Sequence, residues 1–321
     1  MKRLIISIIV CIIGLNLGAQ SQSPPTVYTG LVNIIHEPFH FPMIGFVNIA
    51  LGSHKYPQVG FVNYNQRDFG GLQLSFVNYT GGRYQGLQFG FVSLTADEFS
   101  GLQWGHVNIA SKSLEGMQIG FVNMAAEDLE GAQLGFVNVA KNINGSQLGF
   151  VNIAEEFKSG IPIGFFSYVR EGGFKAVEMG VSEIAHLNFV FKTGVKQFYT
   201  SFLLINYNHN SKGKDKEHLW GGMGIGTIFD IDPKIYFNPE LILSTTYNTT
   251  KFDQIINNSI VPAFGYRFTD NISLILAPAA TWSQNNSDTG LVDPVFKIYE
   301  YQRVPDKRFI FGGRVGLRFE W

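Results

Sequence analysis

The chain has 321 residues, 36 of them Gly, with 29 Phe and 13 Tyr but only 15% charged residues. Soluble domains usually carry about 25% charge, and disorder needs low hydrophobicity with high charge. A disordered chain or a highly charged coiled coil is therefore excluded. The net charge of −1 offers no basic field, so nucleic acid is not an expected partner. Glycine and aromatics with few charges point to extended β-structure, partly facing lipid.

At the N-terminus, Lys2 and Arg3 precede an apolar run from Leu4 to Ile13, and Leu17-Gly18-Ala19 supplies a small-residue cleavage site before Gln20. This is the layout of a secretory signal peptide, so residues 1–19 are expected to be a leader on an exported protein. The apolar run is shorter than the about 20 residues a spanning helix needs. The one cysteine, Cys11, falls inside the leader, which leaves neither disulfide nor thiolate chemistry. Any membrane insertion of the mature chain is then expected through a β-barrel, because no later apolar run approaches a spanning helix.

Residues 28–172 carry an internal repeat. Val-Asn pairs end on Asn33, Asn48, Asn63, Asn78, Asn108, Asn123 and Asn138 in a register of 15, and Asn152 follows after 14. Ser93 and Ser167 take the Asn place in two units. Gln73, Gln88, Gln103, Gln118, Gln133 and Gln147 recur in the same register. The fullest unit is Gly116-Met117-Gln118-Ile119-Gly120-Phe121-Val122-Asn123-Met124-Ala125. Its two glycines rule out a helix interior, at roughly 1 kcal/mol each. Read as one straight strand, Met117, Ile119, Phe121 and Asn123 share one face, and Gln118, Gly120, Val122 and Met124 share the other. Polar linkers such as Ala96-Asp97-Glu98 and Ser111-Lys112-Ser113 read as turns, each pinned to the core by Phe99, Leu114, Leu129 or Ile143.

Two architectures accommodate such units. In a β-solenoid each unit is one coil stacked at about 4.8 Å on the next, and the repeated Asn and Gln form side-chain ladders. In one large barrel each unit is a strand, and odd and even units would face opposite ends. The units show no odd–even difference in motif or linker length, which favours the solenoid. The Gly-x-Gln-x-Gly-Phe-Val-Asn-x-Ala units resemble those of the surface-repeat-containing proteins of Gram-negative bacteria, common in Bacteroidota and spirochaetes, over roughly Gly30 to Ser167. That resemblance implies an outer-envelope location and supplies no catalytic residue.

From 173 to 321 the register gives way to longer alternating strands. The last is the clearest. Phe309, Phe311, Val315, Leu317, Phe319 and Trp321 form its apolar face, and Ile310, Arg314, Arg318 and Glu320 lie on the other. With Phe319 and Trp321 at its end, it resembles the terminal strand by which outer-membrane barrels are recognised for assembly. About eight strands are expected, at 174–183, 187–196, 198–207, 219–230, 235–247, 260–268, 271–282 and 309–321. Short and long connections alternate as in outer-membrane barrels, except at 184–186. An even count puts both barrel ends, and the repeats, on the periplasmic side; if 174–183 is a last repeat unit, the side is reversed. Eight strands leave no aqueous pore. Glu178, Lys192, Lys196, Glu240, Arg267, Arg314, Arg318 and Glu320 are expected to point inward and pair with one another.

Chemical motifs are sparse. His36-Glu37-Pro38-Phe39-His40 matches H-E-x-x-H, but Pro38 and Pro42 oppose the helix that zinc ligation at this spacing needs. Gly222-Met223-Gly224-Ile225-Gly226 lacks a βαβ frame and reads as small inward residues of a barrel strand. His106 stands where its neighbours carry Phe and is expected to be half-buried. Tyr299 and Tyr301 are expected in a long exposed loop. The sequence thus predicts an all-β, non-enzymatic outer-membrane protein without metal or cofactor. A repeat solenoid is joined to a small antiparallel barrel that meets outer-membrane lipid, and the repeats offer a surface to a protein or glycan partner. The alternative is a transport channel in which the repeats are strands of one large barrel.

Overall fold

The computed structural model describes residues 27–36, 40–209, 217–247, 254–285, 291 and 293–321. The expected leader lies outside them, as do Glu37, Pro38 and Phe39. The chain is all-β, a parallel solenoid followed by a closed antiparallel barrel. Contacts group it into two compact units, Met1–Gly135 and Phe136–Trp321, so the last repeats belong with the barrel.

In the first unit, equivalent residues pair in parallel at the repeat spacing. Val62 pairs with Val77, Val77 with Val92, Val92 with Val107, and Val107 with Val122. The Gln row does the same from Gln58 through Gln73, Gln88, Gln103 and Gln118. The repeats are therefore coils, and the single-large-barrel arrangement does not form.

Each coil is bent where a straight strand was expected. Phe99–Trp104 and Val107–Ala110 are separate strands joined at a corner, Gly105-His106. The corner shifts the alternation by one residue. Gln118 and Asn123, assigned to opposite faces of a straight strand, are both fully buried, while Met117, Phe121 and Met124 are exposed. Phe99, Leu114, Leu129 and Ile143 are buried as the turn pins they were read to be. The single-residue deletion between Asn138 and Asn152 falls in the linker before Ile143, and Asn138 still donates to Asn152 at 2.9 Å.

The barrel strands are Phe174–Val181, Leu187–Val195, Phe198–His209, Glu217–Gly226, Ile235–Tyr247, Gln254–Arg267, Ile272–Asn285 and Lys307–Glu320. Neighbours pair antiparallel, and Ala176–Val181 against Val315–Glu320 closes the cylinder. The segment from Phe174 is thus the first barrel strand and not a last coil, and the count is eight. Apolar side chains cover the outside, among them Met179, Leu204, Leu241, Ile260, Leu276, Val315 and Leu317, all exposed. Two details depart from expectation. Lys297–Val304, read as loop, is a strand paired to Lys307–Glu320, so Tyr299 and Tyr301 are exposed on a hairpin. The short link after Val181 folds inward, and Ser182, Glu183, Ile184 and Ala185 are buried.

Within the second unit the last coil packs against the outside of the barrel. Thr193 Oγ1 donates to the Ser167 carbonyl at 2.7 Å, and Thr200 Oγ1 to the Gly164 carbonyl at 2.8 Å. Phe165 meets Phe202 edge to face at 5.3 Å.

Candidate functional site

The repeated amides fill the solenoid. Asn33 Nδ2 donates to Asn48 Oδ1 at 2.7 Å, Asn48 to Asn63 at 2.9 Å, Asn63 to Asn78 at 3.1 Å and Asn108 to Asn123 at 2.9 Å. Each Asn has a second task. Asn108 Nδ2 also donates to the Ile119 carbonyl of the next coil at 2.9 Å, and that oxygen accepts the Gly105 N–H as well. The Asn thereby gives a second donor to a corner carbonyl that the backbone already pairs between coils. Asn48, Asn78, Asn123, Asn138 and Asn152 repeat this bond to the equivalent carbonyl.

The Gln row forms a second ladder. Gln73 donates to Gln58 at 3.0 Å, Gln88 to Gln73 at 2.7 Å, Gln103 to Gln88 at 2.7 Å, Gln118 to Gln103 at 2.6 Å and Gln133 to Gln118 at 2.8 Å. Gln147 is buried in the same row, where Pro162 follows it and ends the ladder. Sequence reading missed two members. Gln58 begins the row, and Asn65 braces it across the coil with Nδ2 donating to Gln58 Oε1 at 2.6 Å. Gln58 lies one period before Gln73, which was a usable signal. In a dry interior a paired amide is favourable, whereas an unpaired one costs about 1–3 kcal/mol. The ladders therefore hold the coils they join in register.

Ser93 interrupts the Asn ladder. Asn78 Nδ2 reaches Ser93 Oγ only at 3.5 Å, and Asn108 Oδ1 is buried without a hydrogen-bond partner. Ser93→Asn is expected to restore both bonds and raise stability by about 1 kcal/mol. A urea titration followed by circular dichroism measures it, and an unchanged or lower midpoint contradicts this account of the ladder.

Outside the coils, the repeated Phe residues stack in register. Phe46 and Phe61 are 4.9 Å apart, Phe61 and Phe76 5.1 Å, and Phe76 and Phe91 4.8 Å. His106 continues this row, stacked on Phe91 at 4.3 Å, and is exposed where a half-buried position was expected. The linkers form a polar edge. There Lys112 binds Asp97 at 2.6 Å, and that hydrogen bond holds the Asp97 carboxyl below its ordinary value. A groove of about 550 Å³ runs along this edge, lined by His54, Lys55, Asp68, Arg83, Glu98 and Glu115 among others. Tyr84 forms part of its floor, and burial pushes its phenol up.

The barrel interior holds balanced charges. Lys192, 1% exposed, donates to Glu178 at 2.8 Å and Glu240 at 2.7 Å. Arg318, fully buried, donates through Nε and Nη2 to Glu178 at 3.1 and 3.0 Å, and through Nη2 to Asn238 at 2.5 Å. Tyr199 donates to Glu240 at 2.6 Å. Arg314 forms a separate pair with Glu183 at 2.8 and 2.6 Å, which draws the short link inward. Expectation holds only in part at the barrel ends. Lys196 is half-exposed, and both it and Arg267, which does lie inward over the Tyr236 ring, pair with the half-exposed Asp230, while Glu320 is only partly buried. Gly224 and Gly226 are the small inward residues they were read to be, and a Cβ on Gly226 would meet the Tyr199 hydroxyl. A lumen cavity near Lys192 and Arg314 is about 30 Å³, room for roughly one water.

At the barrel end, Phe319 and Trp321 are exposed on the outer wall, Trp321 within 6.4 Å of Phe191. His36 and His40 are both exposed, and among the described residues no cluster of three or more His, Cys, Asp or Glu side chains could hold a metal. The arrangement defines a class of protein, an amide-cored repeat solenoid joined to a filled antiparallel barrel. No family model matches the chain, and no curated protein matches it.

Proposed function

We propose that this is a non-enzymatic protein of the outer membrane, in which the C-terminal barrel is the anchor and the repeat solenoid is a scaffold for a protein or glycan partner. The observation that carries this reading is the barrel itself. Its outer wall is apolar on every strand, its charges are paired inside, and its last strand ends on exposed Phe319 and Trp321. A soluble barrel of this size gains nothing from so much exposed apolar surface, whereas lipid covers it. The partner-binding surface is assigned to the groove on the polar linker edge, whose mixed charges suit polar ligands.

The signal-like N-terminus accords with export. Expression of the full chain in a Gram-negative host tests the anchor. The protein is expected in the outer-membrane fraction, resistant to extraction by alkaline carbonate. Recovery in the soluble periplasm would exclude the reading. The filled lumen disfavours the transport alternative, so planar bilayers containing the protein are expected to show no steady conductance steps. Such steps would replace the scaffold reading with the channel.

A further inference from the structure

The solenoid is inverted relative to an ordinary soluble repeat, with amides inside and apolar side chains outside. One coil illustrates this. Leu102, Trp104, His106, Val107 and Ile109 point outward, while Gln103 and Asn108 are fully buried. Trp104 is 56% exposed, and Phe121 of the following coil is also 56% exposed. From Pro57 to Tyr168 these five outward rows contain no Asp, Glu, Lys or Arg. The charges sit on the third side, in linkers such as Ala96-Asp97-Glu98 and Ala126-Glu127-Asp128. Each coil is therefore amphipathic, with two apolar sides and one polar edge.

In the second unit the apolar side runs into the barrel wall. Phe136, Phe150 and Phe165 stack at 4.9 and 4.6 Å. Phe165 then packs on Phe202 of the barrel exterior. A groove of about 380 Å³ lies there, lined by Phe165, Phe202, Met223, Leu243 and Ile256. Met223, Leu243 and Ile256 belong to the barrel exterior, so wall and coil share this groove.

We infer that the two apolar sides of the repeat coils lie against lipid hydrocarbon, with only the charged linker edge turned to water. The inference rests on the reading of the barrel as a membrane anchor. Backbone chemistry permits it, because the coils hydrogen-bond along the stack and their sides expose side chains without open N–H and C=O rows. Exposed apolar surface on this scale requires a covering partner. Continuity with the barrel wall in the second unit selects lipid over a second copy of the chain.

Spin labels on the full chain test this. With Cys11→Ser as background, single labels are placed through Leu87→Cys and Leu148→Cys on the apolar sides, Ser111→Cys on the polar edge, and Ile260→Cys on the barrel wall. The protein is reconstituted in phosphatidylethanolamine and phosphatidylglycerol vesicles. Relaxation by oxygen, which concentrates in hydrocarbon, is compared with relaxation by a water-soluble nickel chelate. The expected result is oxygen dominance at Leu87, Leu148 and Ile260, reversed at Ser111. Nickel dominance at Leu87 or Leu148 with oxygen dominance at Ile260 overturns the inference and leaves the anchor intact. Nickel dominance at Ile260 overturns the anchor, and the inference with it. Concentration-dependent spin–spin broadening at Leu87 identifies a second copy as the occupant and overturns lipid.

Discussion

Gly101→Ala is expected to destabilise the repeat stack by more than about 3 kcal/mol. Gly101 has φ of +131° inside a strand, a region closed to side chains. That strain alone costs about 1–3 kcal/mol. A Cβ there would also stand 2.0 Å from the Gly86 carbonyl oxygen in the coil below. The obstacle is backbone, so no rotamer change relieves it, and the coils have to separate. Separation lengthens the amide bonds on both sides, Gln103 to Gln88 and Gln118 to Gln103, now 2.7 and 2.6 Å. The effect therefore spreads along the stack. Gly70 is the internal control. A Cβ there meets nothing closer than the Lys55 side chain at 3.7 Å, so Gly70→Ala is expected to stay within about 0.5 kcal/mol of the parent. Thermal unfolding by circular dichroism and limited proteolysis of the coils measure both. Equal midpoints for the two variants would show that close coil approach does not limit the stack.

Much of this stack is legible in the sequence because its physics is periodic. Identical residues at a fixed spacing pair with themselves in a parallel solenoid, so the Asn and Gln rows name their own partners. The corner was not legible. Gly105-His106 and Gly120-Phe121 fit a straight alternating strand as well as a bent one, and only the burial of both Gln118 and Asn123 separates the two. Gln58 was missed because Tyr56 stands where later units have Gly, which breaks the motif while preserving the register. In the barrel, alternation located the strands, since lipid-facing and inward residues differ in kind. It failed at Lys297–Val304, where nearly every residue is exposed and no inward set marks the strand. Nothing in the length of its link marks Glu183 as an inward residue. Its inward carboxylate anchors this short link on Arg314 and Thr281. No local pattern encodes a contact made across more than 100 residues.

The largest single effect in the barrel is expected from Glu178→Gln. Glu178 and Glu240 balance Lys192 and Arg318, and Glu178 is the carboxylate that binds both cations. The amide variant keeps the volume but leaves two buried cations facing one carboxylate. Lys192 retains Glu240 and loses half of its ion pairing, whereas Arg318 retains only Asn238 and the faces of Phe174 and Tyr236. Breaking a buried pair by removing one partner costs about 3–5 kcal/mol, because the desolvated charge has nowhere to go. The cost reflects imbalance, so a second change that removes one cation should recover part of it. Glu178→Gln with Lys192→Met is accordingly expected to be more stable than Glu178→Gln alone, by at least about 1 kcal/mol. Trp220, 2% exposed inside the barrel, reports unfolding by fluorescence in urea. If the double variant is no better than the single one, hydrogen bonding by Glu178, and not charge balance, holds the lumen together.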